Sequence, residues 1–183
     1  QVNNEIGQIK ELKVYIRQNN LFNKNNIQIS KINIKKANFF LKKDDLSYAQ
    51  KYFNKKFINK DIKILDSKVF YNDKKNNTVF IYTIKKSIIK LLKSEDKNSV
   101  ISDGEIFKIP TKITWEKDFE NKSKILKVNL KKIFFDLENK SIIKDEKYSH
   151  ETIINILNSK LKFSSELFKN HIEFYSTNSI IKN

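Results

Sequence analysis

The chain reads as an α+β protein of two units: a small strand–helix–helix–strand–strand unit, then a mostly antiparallel β unit with one or two helices. Three observations predict this. Apolar residues alternate over many short stretches, the mark of half-buried strands. A helical spacing with acidic residues at its start interrupts them near residue 45. Charge is also split along the 183 residues: 1–93 carry 21 basic and 7 acidic side chains, and 94–183 carry 16 and 14. The halves therefore meet different surroundings.

Taken in order, residues 1–11 are polar and mixed and read as a linker or arm. Leu12, Val14 and Ile16 alternate with Lys13 and Tyr15 as a short strand, and Asn19-Asn20 turns the chain. Residues 27–34 fit strand or helix. Ile27, Ser30, Ile34 and Ala37 share one helical face and Asn25 and Asn26 can cap it, so helix is the reading taken. Asp44 and Asp45 then precede Leu46, Ala49, Phe53 and Phe57 at helical spacing, with Lys55 and Lys56 at the end. Stretches 62–71 and 78–92, rich in β-branched and aromatic residues, flank a turn at 72–77 and form an antiparallel hairpin.

The polar break at 94–98 is the expected boundary, giving units 12–93 and 94–183. Beyond it, strands are expected at 100–101, 106–109, 113–115, 125–130, 133–137 and 142–143, with a turn at Asp103-Gly104. Ser149 with Glu151 in the following turn starts a helix through Ile153, Ile156 and Leu157. Strands at 161–163, 172–174 and 180–181 finish the chain.

Composition excludes several chemistries. Without Cys there are no disulfides, thiol nucleophiles or thiolate metal sites. His150 and His171 are the two histidines, each in a polar context, and read as solvated side chains rather than bases or ligands. Gly7 and Gly104 stand alone, so no phosphate-cradling loop can be built. No catalytic group, cofactor or metal is expected. Arg17 is the single arginine, so the planar fork that reads guanine edges is missing, and no specific nucleic acid is expected as a partner. Trp115 and the pairs Phe39-Phe40 and Phe134-Phe135 read as core aromatics rather than a base-stacking platform. The lysine pairs, Lys35-Lys36 and Lys42-Lys43 among them, read as a solvated face, or more sharply as a surface drawn to anionic lipid headgroups. No apolar run approaches a membrane span, and a chain opening at Gln1 is expected to have lost an N-terminal segment.

The residues Asn38-Phe39-Phe40-Leu41, Asp45-Leu46, stretch 62–69 and the run from Asn77-Thr78 to Lys85-Lys86-Ser87-Ile88 resemble the POTRA domain of the FtsQ/DivIB cell division proteins. Lys85-Lys86-Ser87 stands where that family carries an acidic-basic-x-proline signature. Val100 to Phe107, with Asp103-Gly104, resembles the family's entry into its β domain, and His171-Ile172-Glu173-Phe174-Tyr175 resembles a strand near that domain's end. The resemblance implies a non-enzymatic, single-pass membrane protein whose POTRA and β domains lie outside the cytoplasm. It implies partners of the FtsB/DivIC and FtsL type, bound by strand addition at a sheet edge. By the same resemblance, Ile172, Phe174, Tyr175, Ile180 and Ile181 are the expected contact residues. An exported surface or periplasmic binding protein, and a lysine-rich non-specific nucleic-acid binder, are the alternatives; the latter predicts affinity that falls steeply with salt.

Overall fold

Apolar residues recur at every second position along most of the chain, and the backbone answers with strands. The computed structural model describes residues 7–17, 28–57, 61–144, 147–167 and 172–176. Its strands are β1 (Gly7–Ile16), β2 (Ile29–Leu41), β3 (Asp61–Asn72), β4 (Thr78–Leu92), β5 (Lys97–Ile106), β6 (Ile109–Asp118), β7 (Ser123–Leu130), β8 (Phe135–Lys144), β9 (Lys147–Ile156), β10 (Ser159–Leu167) and β11 (Ile172–Ser176). All lie in one 11-stranded sheet, in chain order. Each neighbouring pair is antiparallel except β2 and β3, which run parallel. A parallel pair needs a crossover. Helix α1 (Lys43–Asn54) supplies it, with Asp44 and Asp45 in its first turn and Lys51 in its last, as its macrodipole favours.

This overturns the expected fold class. The described residues form one sheet with a single crossover α-helix, not a strand–helix–helix–strand–strand unit beside a separate β unit. The helix expected over 27–34 is part of β2 from Ile29 onward. The reason is a bulge: Lys36 has a φ of 53°, and its neighbour across the ladder, Asp66, has 47°. One extra residue in each strand puts Ile34 and Ala37 on the same face, which imitates helical spacing. The helix expected from Ser149 is β9, where Thr152, Ile153, Ile154 and Ile156 prefer the pleated surface. The expected turn at Asp103-Gly104 lies inside β5. The chain turns instead at Phe107-Lys108, between the paired residues Ile106 and Ile109.

Other elements stand where the spacing put them: α1, the β3–β4 hairpin, and strands through 113–115, 125–130 and 161–163. The expected boundary falls on a 3-10 turn, Lys93–Glu95, and the ladder continues across it from Leu92–Lys97 to Tyr82–Ile106. No helix among the described residues is long and apolar enough to cross a membrane.

A sheet with one apolar face normally buries it against a second layer. Here, among the described residues, only Ala37, Phe57, Tyr82 and Ile84 are buried hydrophobics. Most of the other Ile, Leu, Val and Phe side chains stay half-exposed.

Candidate functional site

Cross-strand partners share a face, so register sorts the side chains into rows. On one face, a first row runs Ile89, Val100, Trp115, Leu126, Asn139, Thr152, Phe163. A second runs Ser87, Ser102, Ile113, Val128, Leu137, Ile154, Leu161. At adjacent-strand spacing each row is roughly 30 Å long. The same face continues through Val14, Ile32, Ile62 and through Leu12, Ile34, Ile64 toward the β1 margin. The opposite face is mixed: Ile88, Ile101, Ile125 and Ile153 stand there among charged pairs, in which Lys127 meets Glu138 at 3.1 Å, Lys162 meets Glu151 at 2.5 Å and Lys85 meets Glu105 at 2.7 Å.

Helix α1 covers the apolar face at one place. Phe53 meets Trp115 edge-on at 5.0 Å, and Phe57 lies 6.2 Å from the same ring. Asn98, with no exposed surface, fastens the segment after the helix. Its amide oxygen accepts from the Phe57 N–H at 2.8 Å and its amide nitrogen donates to the Lys55 carbonyl at 2.7 Å. Beside this clasp, Phe53, Asn54, Val100, Trp115, Lys124, Ser141 and His150 line a cavity of about 360 Å³.

A polar row borders the apolar ones: Asn98, Lys117, Lys124, Ser141, His150, Ser165. Lys117 donates to the Asn54 carbonyl at 2.6 Å, at the C-terminal end of α1. His150 shares a 2.7 Å hydrogen bond with the Ser141 hydroxyl. Burial holds the Lys124 amine below the usual lysine range. Burial, then the Lys124 charge, lowers Lys117 and His150 in turn. Cations set into apolar surroundings favour an anion. The described residues that line the cavity include no acidic side chain.

The expected contact residues divide. β11 is a margin of the sheet, paired with β10. Phe174, 67% exposed, lies on the apolar face with its ring 6.5 Å from Phe163. Tyr175 points to the other face, where its hydroxyl donates to Glu173. Ile172 begins the strand opposite Leu167. Ile180, Ile181 and His171 lie outside the described residues. Lys35 sits mid-strand, 3.8 Å from Asp66, with Lys36 at the bulge. Lys42 and Lys43 lie about 20 Å farther along, at the strand rise, where Leu41 leads into α1.

Sequence reasoning missed two features. His150 is a half-buried member of the polar row, not a solvated residue, because the segment is strand and every second residue faces inward. Asn98 looked like part of a polar break. No metal-holding cluster occurs among the described residues. No family model, curated protein or solved structure matches the chain.

Proposed function

We propose that this chain is a non-enzymatic binding module that carries an elongated anionic amphiphile on its apolar face. The observation that carries the proposal is a long apolar face covered, among the described residues, only by α1. Exposed apolar surface of this extent marks a binding site. The acyl chain lies along the Val100–Trp115–Leu126 and Ile113–Val128–Leu137 rows, and the head sits by Lys124 and His150 at the polar row. The cavity under Phe53 falls in the size range of small-molecule sites. Calorimetric titration with a single-chain anionic amphiphile, kept below its micelle threshold, tests this. Saturable binding to one site is expected, weakened at least about tenfold by Leu126→Asp and by Lys124→Gln. No saturable binding by the wild-type chain contradicts it.

One observation favours a second binding mode at the same sheet. β11 is the last strand of the sheet among the described residues, at a margin to which the apolar face extends, and a strand added there would extend the ladder. Extracytoplasmic segments of the FtsB/DivIC or FtsL type are the partners the sequence suggests. The POTRA half of that resemblance has no counterpart in the sheet. Titrating such a segment into isotope-labelled protein should shift the amides of residues 172–176. Unmoved amides there would end the strand-addition reading.

A further inference from the structure

We propose that one end of the sheet docks the molecule onto an anionic lipid bilayer through its hairpin tips. In an up-and-down sheet alternate turns share an end. The turns at 73–77, 107–108, 131–134 and 157–158 therefore lie together, and the turns at 93–96 and 119–122 lie at the other. Neighbouring tips touch: the Leu157 N–H donates to the Phe134 carbonyl at 3.0 Å.

Each of three tips presents a large apolar side chain to solvent. Phe107 is 74% exposed, Phe134 68% and Leu157 70%. All three have left-handed backbone, with φ of 50°, 49° and 52°. That conformation favours Gly and Asn and costs a bulky residue free energy. Neither packing nor turn chemistry calls for Phe or Leu there, so a binding role accounts for them.

Charge names the partner. The first end's turns hold Lys74, Lys75, Lys108, Lys131 and Lys132 against Asp73, whose carboxylate accepts from the Lys75 and Asn77 N–H groups. Lys42 and Lys43, where β2 enters α1, lie at this end with Asp44 and Asp45. The described turns of the other end hold Lys93 and Lys122 against Glu95, Asp96 and Glu120. There Phe119 is engaged by the Lys117 and Lys56 ammonium groups, 4.7 and 5.4 Å from its ring. Apolar tips ringed by lysines match a bilayer interface, where the rings enter the headgroup boundary and the ammonium groups meet lipid phosphates.

Vesicle co-sedimentation of the full chain tests this, comparing phosphatidylcholine alone with phosphatidylcholine containing phosphatidylglycerol. Binding is expected to the anionic vesicles, weakened by added salt. The triple variant Phe107→Asn, Phe134→Asn, Leu157→Asn keeps residues suited to the left-handed backbone, so it folds, and should bind about 100-fold more weakly. The chain has no Cys, which permits single-site labels. An environment-sensitive dye on Asn158→Cys should shift to the blue on vesicles, and the same dye on Glu120→Cys at the far end should not. Equal binding by wild type and triple variant would overturn the proposal. So would equal binding to neutral and anionic vesicles, or a response confined to the Glu120 label.

Discussion

Asn98 is committed through both halves of its amide, to the Phe57 N–H and the Lys55 carbonyl. Replacing it with Ala leaves a buried N–H and a carbonyl without partners, and an unsatisfied buried group costs about 1–3 kcal/mol. Asn98→Ala should therefore lower the unfolding free energy from urea titration by that amount and loosen α1 from Trp115, seen as a red shift of the single tryptophan's emission. Gly104 is as constrained. A Cβ there would stand 2.2 Å from the Thr83 carbonyl oxygen and 2.7 Å from the Tyr82 ring, whose hydroxyl donates to Ser102 at 2.8 Å. Gly104→Ala should destabilise by about 1–3 kcal/mol through overpacking, measured by chemical denaturation. At His150 the sign follows from a lowered value caused by burial and then by Lys124. The unfolded chain takes up a proton below about pH 6.5 before the folded one does. Stability should be full above that pH and fall as pH drops from there toward the lower folded value. His150→Asn should flatten that part of a melting-temperature profile. None of these roles was legible beforehand. Asn98 and Gly104 lie in stretches whose composition signals turns, and a histidine's surroundings depend on which strand partners flank it.

At the scale of elements, local signals served where one face and one period coincided. Asp44, Asp45, Phe53 and Phe57 announced α1, and the clustered turn residues at 72–77 announced the β3–β4 hairpin. They failed at β2 because the Lys36 bulge changes the parity of the alternation. They failed at β9 because an acidic start after a serine is compatible with either element. The Phe107-Lys108 turn hid for another reason. Both central residues have positive φ, as a type I′ turn requires, yet neither is the Asn or Gly that usually marks one. Phe107→Asn with Lys108→Gly should therefore raise stability by about 1–2 kcal/mol while weakening vesicle attachment. Thermal denaturation and co-sedimentation on the same samples would show the two effects with opposite signs. A loss of stability would mean that Phe107 packs in a way its exposure does not indicate.

For the whole molecule, alternation showed that the chain is rich in strands, but not that they join one sheet. Layering is a non-local property: Val100, Trp115 and Leu126 have the spacing of core residues whether or not a second layer covers them. Among the described residues only α1 covers the apolar face, so the sheet's stability should rise with anything that binds there. A ligand at a hundredfold excess over its dissociation constant would add about 2.7 kcal/mol, seen as a higher melting temperature. Trp115 gives the most direct test, since it is the single tryptophan and sits in the first apolar row beside the cavity. Its emission can be followed while a fatty acid brominated along its chain is added below the micelle threshold. Carriage on the apolar face predicts saturable quenching, absent with a brominated short-chain acid and diminished in Leu126→Asp. Emission unchanged to saturation, or quenched equally by the short acid, would contradict it.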